Sequence, residues 1–340
     1  LQGATRLHGG IPLIRVTEVV ELKQIDIIGA HALERAVDFC RQFRTSNDLS
    51  RLSKSRATFF TSARSWALNS GAGRVLIFYG RTSAAGWGTL PATVMIENNC
   101  VADVCLQGPA GSAFGGSVST AGDFDNDGRP DLLVGAAGYT VNTNQVGRVY
   151  VLKGKSYTSG AAPADGSFYN QVVNVDTDPA VEGFVITGDE NGARATRLLG
   201  ESVAGIGTFD NTAGADVVFG GSGLAPVNPT NGSVWYLSGR AFVAAPLAPL
   251  TLAQAGLYDG NGMPSGTPID SGPNVGSAVF ALGDVLYQAP DGTPSRAPEG
   301  APHKVDFGVY NALDAGFFLY SGDTNFGAGM APFDPQQLPW

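Results

Sequence analysis

The sequence predicts an all-β protein built from repeated short strands, and three observations carry this prediction. The 340 residues include 47 glycines and 20 prolines, which indicates many turns, while 43% hydrophobic residues are too many for a disordered chain. A short β-rich block with glycines at or near its ends recurs four times, and a second apolar run precedes each copy. Regular recurrence of such blocks is typical of repeat architectures.

The four blocks are rich in β-branched and aromatic residues, and each is short enough for a strand rather than a helix. They read GRVLIFYG from residue 73, GRVYVLKG from 147, GSVWYLSG from 232 and AGFFLYSG from 315, at spacings of 74, 85 and 83 residues. The apolar runs before them are TFFTSA from 58, LLVGAA from 132, VVFGGS from 217 and VDFGVY from 305. Each pair predicts two neighbouring strands.

Further strands precede these pairs. Three copies carry a third element upstream, FGGSVSTAGD from 114, LGESVAGIGT from 199 and VGSAVFALGD from 275. Two of these follow a fourth element, VCLQG from 104 or FVITG from 184. Four short strands per unit, separated by glycine turns, predict the blade of a β-propeller.

The unit resembles the FG-GAP repeat of integrin α-subunit propellers and of many bacterial surface proteins. Phe114 and Gly115 match the letters FG of that motif. Gly135, Ala136 and Ala137 stand where the letters GAP would be, with alanine in place of proline.

The resemblance is strongest over residues 104–154, extends over 184–240, and is weaker over 275–322 and partial over 58–80. It implies a β-propeller of FG-GAP-like four-stranded blades over residues 58–340. Relatives of this type are typically seven-bladed, whereas the repeat length here leaves room for four or five blades. Whether one chain closes a ring, or several chains combine as a homo- or hetero-oligomer, stays open at this point.

The acidic segment DFDNDGRPD supplies five candidate metal ligands: Asp123, Asp125, Asp127, Arg129 and Asp131. Three aspartates alternate, a glycine permits a tight turn, and a fourth aspartate follows. A loop of this type turns its carboxylate oxygens, and here the backbone carbonyl of Arg129, toward one hard cation. Oxygen ligands without histidine or cysteine favour Ca²⁺ over a transition metal. The sequence therefore predicts a calcium site, which stabilises a turn between two strands of one blade.

The other repeats carry weaker versions of this loop. Thr208, Asp210, Thr212 and Asp216 stand at the corresponding positions of the next copy, which halves the charge and disfavours a metal. Asp284 remains in the last copy, where extra residues occupy the place of the loop. The first copy has no carboxylate there.

Charge and hydropathy exclude several classes of function. The net charge is −9, and residues 71–340 hold 11 Lys and Arg against 24 Asp and Glu. Such an acidic body argues against binding to nucleic acid. The uncharged stretch at residues 241–258 is interrupted by two prolines, so no transmembrane segment is predicted. The resemblance implies an extracellular, cell-surface or periplasmic location.

Residues 1–57 fit the repeat least and are predicted to form an atypical segment, either a docking segment or a degenerate first blade. Strand-like alternation over residues 11–30 precedes a helix-like spacing over 31–43. Among the three cysteines, Cys100 and Cys105 lie close enough for a disulfide across a short loop, and free thiols are the alternative.

No combination of residues in the sequence indicates catalysis. The three histidines stand apart from one another, and no complete hydrolase, nucleotide or zinc-protease motif appears. Long loops with few charges, from Gly138, Gly223 and Tyr258, instead predict a face that contacts a protein or glycan. We therefore expect a non-enzymatic adhesion or assembly module. Two alternatives stay open: the non-catalytic or substrate-binding part of an extracellular hydrolase or lyase, and a structural subunit of a large extracellular or membrane-associated complex.

Overall fold

The structure is a computed structural model, and it describes a defined part of the chain. The described residues are 59–63, 71–78, 102, 104–155, 172–191, 196–210, 212–224, 230–243, 246–256, 266–272, 274–283, 287–288, 294–295, 305–311 and 316–320. The predictions for residues 1–57, for Cys100 and for Asp284 lie outside these ranges, as do residues 258–265 of the predicted loop from Tyr258.

Strands dominate the described residues, and the only helix among them is a 3-10 turn at Leu252–Gln254. The strands are β1 (Phe59–Ala63), β2 (Arg74–Phe78), β3 (Val104–Gln107), β4 (Ser117–Gly122), β5 (Asp131–Ala136), β6 (Arg148–Leu152), β7 (Val172–Asn174), β8 (Gly183–Thr187), β9 (Ser202–Gly207), β10 (Asp216–Gly221), β11 (Gly232–Leu237), β12 (Ala248–Leu250), β13 (Asp270–Gly272), β14 (Val275–Gly283), β15 (Tyr287–Gln288), β16 (Pro294–Ser295), β17 (Asp306–Asn311) and β18 (Gly316–Tyr320). The predicted all-β class is confirmed.

Four sheets of three or more strands follow one another along the described chain. Sheet 1 has the order β1-β2-β3-β7, sheet 2 has β12-β8-β6-β5-β4, sheet 3 has β13-β11-β10-β9 and sheet 4 has β14-β17-β18. Strands β15 and β16 form a separate two-stranded ribbon. Each larger sheet contains one of the four predicted β-rich blocks, in β2, β6, β11 and β18.

The sheets are offset from the repeat units that the sequence suggested. Strand β3, read as the first strand of the second unit, pairs with β2 and so completes sheet 1. Strand β8 likewise pairs with β6 and completes sheet 2. The predicted grouping of these two strands with the next unit is therefore wrong, because their antiparallel partners lie in the preceding sheet.

Two short strands tie neighbouring sheets together. Strand β7 lies between β6 and β8 in the chain but pairs in parallel with β3, on the outer edge of sheet 1. Strand β12 follows β11 and pairs in parallel with β8, on the outer edge of sheet 2. Each strand covers backbone groups that an edge would otherwise expose. The segment that follows β6 therefore covers the edge of sheet 1, and the segment that follows β11 covers the edge of sheet 2.

The central strands are apolar along their whole length because both of their faces are buried. In β5, Leu133 belongs to the core between sheets 2 and 3, whereas Leu132 and Val134 belong to the core between sheets 1 and 2. In β10, Val217 faces sheet 2 and Val218 belongs to the core shared with sheet 4. Side chains alternate between the faces of a strand, so a strand packed between two sheets needs an apolar residue at every position.

Glycines allow the sheets to approach one another at the level of their backbones. A Cβ atom added to Gly135 in β5 would lie 1.9 Å from the carbonyl oxygen of Gly200, next to sheet 3. A Cβ atom added to Gly220 in β10 would lie 2.6 Å from the carbonyl oxygen of Gly276 in sheet 4. The same contact therefore recurs between successive sheets, and it explains why glycine stands at these positions of the repeat.

A serine hydroxyl supports each of these glycine contacts. Ser117 in β4 donates a hydrogen bond of 2.7 Å to the carbonyl oxygen of Gly200. Ser202 in β9 donates one of 2.8 Å to that of Gly276. Because each carbonyl accepts a serine hydroxyl and also packs against a glycine, these contacts hold neighbouring sheets close together.

We expect the substitution Gly135→Ala to destabilise the protein by about 1–3 kcal/mol, because the new methyl group meets backbone that has no rotamer to change. The matched control is Gly128→Ala in the acidic loop. A Cβ atom at Gly128 meets nothing within 4 Å, so only its positive φ of 86° is penalised, at about 1 kcal/mol. Urea unfolding of the two variants measures the difference. A Gly135→Ala variant no less stable than Gly128→Ala would contradict the proposed backbone contact.

Candidate metal centre

The acidic loop joins β4 and β5 at one end of sheet 2. Its turn depends on Asp123, whose two carboxylate oxygens accept the backbone N–H groups of Asp127 and Gly128, each at 2.9 Å. Gly128 and Asn126 both have positive φ angles, of 86° and 58°. Glycine and asparagine adopt this conformation at the lowest cost, so the sequence of the loop suits its sharp turn.

Three of the predicted ligands come together. Carboxylate oxygens of Asp123, Asp125 and Asp131 all lie within 4.8 Å of one another. Asp127 is not one of these three: one of its oxygens accepts the Arg129 N–H at 2.9 Å, and the other lies 2.8 Å from the ammonium of Lys153. Arg129 also approaches Asp127 through its guanidinium, at 3.6 Å.

Lys153 is a residue of this site that the sequence reasoning missed. It directly follows β6, and its ammonium hydrogen-bonds the carboxylate of Asp125 as well as that of Asp127. Its side chain is only 19% exposed, and that of Asp125 only 5%. Burial disfavours the charged form of Lys153, but the hydrogen bonds to both carboxylates outweigh this effect and raise its pKa. The same lysine lowers the pKa of Asp127.

Asp131 has a structural role whether or not it binds metal. It is buried at the start of β5, and its two oxygens accept the N–H of Phe124 at 2.8 Å and that of Gly154 at 2.7 Å. Burial raises its pKa to about 6; the two backbone hydrogen bonds oppose the shift, and the nearby carboxylates of Asp125 and Asp127 add to it. The residue thereby joins the entrance of the loop to the end of β6.

The loop of sheet 3 repeats this arrangement. Asp216 accepts the N–H of Phe209 at 2.7 Å and that of Gly239 at 2.8 Å, which correspond to Phe124 and Gly154 of sheet 2. Burial is the main cause that raises the pKa of Asp216 to about 6. The last aspartate of the motif therefore keeps its role in folding in a loop where threonines replace two of the other three.

A third buried aspartate, Asp306, stands at the same place in sheet 4. It lies opposite Gly283 in the strand pairing, as Asp131 lies opposite Gly122. Asp306 is fully buried. The sequence reasoning assigned it no role, although its position just before an apolar strand matches the position of Asp131.

Hydroxyl groups replace part of the acidic cluster in sheet 3. Asp210 accepts hydrogen bonds from the backbone N–H and the hydroxyl of Thr212, at 2.6 and 2.5 Å, and from the Tyr236 hydroxyl at 2.8 Å. The hydroxyl of Ser238 lies 2.8 Å from that of Thr212. Burial alone would raise the pKa of Asp210, but these hydrogen bonds, led by Thr212, outweigh it and lower the pKa. Protein donors therefore satisfy both oxygens of Asp210.

The residues of the sheet 2 loop fit a calcium ion. They offer carboxylate oxygens and no nitrogen or sulfur ligand, which matches the preference of a hard cation. Burial is the main cause that raises the pKa of Asp131, and the nearby carboxylates of Asp125 and Asp127 add to it. A divalent cation bound by Asp123, Asp125 and Asp131 would offset most of the negative charge of these three carboxylates.

The opposite end of sheet 2 carries the predicted contact loop from Gly138, and a carboxylate holds that loop in shape. Glu190 accepts hydrogen bonds from the side-chain amides of Asn142, at 2.9 and 3.1 Å, and of Asn144, at 2.9 Å. Val141 and Asn144 exchange two backbone hydrogen bonds of 2.9 Å. The exposed tip is thus presented in one conformation.

Stacked sheets, a repeated buried aspartate and an acidic loop between two inner strands define the class of protein as one built from propeller blades. The FG-GAP repeat family model matches residues 114–152, which span β4, the acidic loop, β5 and β6. The predicted FG-GAP resemblance is therefore confirmed for this repeat, and repeats of this type suggest an extracellular adhesion or ligand-binding propeller. No curated protein matches the chain.

Two further predictions can be compared with the structure. Cys105 in β3 is disulfide-bonded, so it is not a free thiol, and its partner lies outside the described residues. No helix in the described ranges is long and apolar enough to cross a membrane.

We expect the stability difference between wild type and Asp216→Asn to depend on pH. The pKa of about 6 lies above the ordinary value near 3.8, so between these two pH values the native state binds a proton that the unfolded state does not bind. The stabilisation that this proton provides is lost as the pH rises through about 6. Wild type should therefore lose stability relative to the variant between pH 4 and pH 7. Denaturant unfolding across this range measures the difference, and a difference that stays constant would contradict the raised pKa.

A second prediction concerns the loop at the opposite end of the sheet. Glu190→Ala removes the acceptor of both asparagine side chains, so backbone amides of residues 141–146 should exchange hydrogen faster. The free energy of unfolding should fall by only about 1 kcal/mol, because the bonds are largely exposed. Glu201→Ala is the matched control, since Glu201 accepts the Ser222 N–H in a different loop. Equal hydrogen-exchange rates of residues 141–146 in wild type and Glu190→Ala would contradict the proposed role of Glu190 in holding the loop.

Proposed function

We propose that the protein is a non-enzymatic extracellular propeller of the FG-GAP type, which binds Ca²⁺ through the acidic loop of sheet 2 and uses its loop face for adhesion, ligand binding or assembly. The convergence of Asp123, Asp125 and Asp131 within a matched FG-GAP repeat carries the proposal. The backbone carbonyl of Arg129 and the carboxylate of Asp127 complete the proposed ligand set.

The proposed role of the ion is structural. The loop connects two hydrogen-bonded strands, and Asp131 already ties it to the end of β6 through backbone contacts. An ion there adds a crosslink within one blade, and its binding free energy adds to the folding free energy. All candidate ligands come from one loop, so the ion supports the blade rather than a contact between chains.

The loop at the opposite end of the sheet supports a binding role. Its tip includes the exposed residues Thr140, Asn142 and Thr143. The hydrogen bonds to Glu190 hold this tip in place before a partner binds. A preformed loop loses less conformational entropy on binding. Exposed amide and hydroxyl groups suit hydrogen bonds to a protein or a glycan.

An oxidising location agrees with this proposal. Disulfides persist in extracellular and periplasmic compartments, whereas cytosolic thiols stay reduced. The disulfide at Cys105 therefore supports secretion or exposure at a cell surface.

The test is the thermal midpoint and the sedimentation coefficient of the chain, measured with calcium and after chelation. At a free calcium concentration of 100 times the dissociation constant, we expect a stabilisation of about 2.7 kcal/mol. The double variant Asp125→Ala with Asp127→Ala should lose this difference, because two of the proposed ligands are gone.

Asp210→Ala with Thr212→Ala is the matched control, since it changes the equivalent positions of sheet 3. It should retain the calcium response of wild type. A wild-type protein that does not respond, or an undiminished response in the Asp125 and Asp127 variant, would contradict the proposed site. The sedimentation coefficient reports separately whether the protein assembles.

A further inference from the structure

The ammonium of Lys153 lies among the carboxylates that the proposed calcium site would use. It hydrogen-bonds Asp125, one of the three converging aspartates, and lies 2.8 Å from an oxygen of Asp127. The contact with Asp125 is largely shielded from water, because the side chains of Lys153 and Asp125 are 19% and 5% exposed. Charge pairs attract more strongly when water is excluded. Lys153 and a divalent ion would therefore compete for the carboxylate of Asp125.

The backbone holds Lys153 beside the loop. Its N–H donates to the carbonyl of Glu182 at 3.0 Å, and the N–H of the next residue, Gly154, donates to Asp131 at 2.7 Å. The side chain therefore starts from a fixed point next to the acidic cluster, so its contact with the loop does not depend on a mobile segment.

The equivalent position of sheet 3 shows that this residue is matched to the charge of its loop. Ser238 occupies it, and its hydroxyl meets the hydroxyl of Thr212 at 2.8 Å. That loop holds two aspartates, Asp210 and Asp216, whereas the loop of sheet 2 holds four. The same backbone position thus faces the loop in both sheets, with a neutral hydroxyl where the charge is low and an ammonium where it is high.

We propose that Lys153 is a built-in counter-cation, which stabilises the acidic loop in the metal-free protein and competes with Ca²⁺ for Asp125 and Asp127. The proposal rests on the calcium site proposed above and describes its regulation. Calcium binding requires the ammonium to leave these carboxylates, so Lys153 weakens the affinity for calcium and reduces the difference in stability between the two states.

The ammonium also has an aromatic neighbour. The ring of Phe242 has its centroid 5.4 Å from the Lys153 ammonium, within the range of a cation–π contact. Phe242 packs against Phe124 and Phe184, with ring centroids 5.7 and 5.2 Å apart. The displaced ammonium can keep this aromatic contact, which makes its exchange with calcium less costly.

The experiment compares wild type, Lys153→Gln and Lys155→Gln by calorimetric titration with calcium chloride and by metal-free thermal unfolding. We expect Lys153→Gln to bind calcium at least about tenfold more tightly, because a competing positive charge is removed. Its metal-free midpoint should be lower than that of wild type. Lys155→Gln removes the same charge two residues away, near Glu182 at 3.7 Å, and should keep the wild-type calcium affinity.

The possible outcomes distinguish failure of the proposed competition from failure of the calcium site on which it rests. Equal calcium affinity in wild type and Lys153→Gln would overturn the competition and leave the calcium site intact. Binding by Lys153→Gln alone would support the counter-cation and show that lysine, rather than calcium, holds the wild-type loop. No binding by any variant would overturn both proposals. If Lys153→Gln does not fold, Lys153→Met removes the charge and keeps the aliphatic stem that packs near Phe242.

Discussion

The close approach of glycine backbones between neighbouring sheets is the constraint on which the rest of the structure depends. Gly135 packs against the carbonyl of Gly200, and Gly220 repeats the contact against Gly276. Sheets this close bury both faces of the inner strands, and the apolar run of β5 follows from that burial. The loops and links then occupy the ends and outer edges of the sheets.

The buried aspartates show how one residue can serve folding and a metal site together. Asp131 and Asp216 accept equivalent backbone N–H groups in successive sheets, although only the first stands in a loop with four aspartates. The carboxylate that the fold needs is present in both loops, although the loop of sheet 3 has threonine in place of two other aspartates. Lys153 places a positive charge beside the loop with four aspartates, and Ser238 places a neutral hydroxyl beside the loop with two. The two loops therefore occupy equivalent positions with different side-chain contacts.

The sequence predicted much of the fold because the repeat is local. Strand and turn signals in each unit lie within a few residues of one another, and they located β5, β6, β10 and β11 within their apolar runs. The sequence could not show that β8 completes the preceding sheet, since hydrogen-bond pairing joins segments that are distant along the chain. It also gave no sign of β7 and β12, whose three residues each form a strand only because an unpaired edge lies beside them.

For the candidate site, the sequence by itself determined which residues form an acidic loop with a tight turn, because alternating aspartates and a glycine are sufficient to predict it. Only the tertiary structure decided that Asp127 turns toward Lys153 and that Asp131 joins two backbone segments. Lys153 lies 22 residues after Asp131 in the chain, so no local pattern could place it at the loop. Local chemistry is encoded in the spacing of residues, whereas the balance of charge around a site depends on which strands lie side by side.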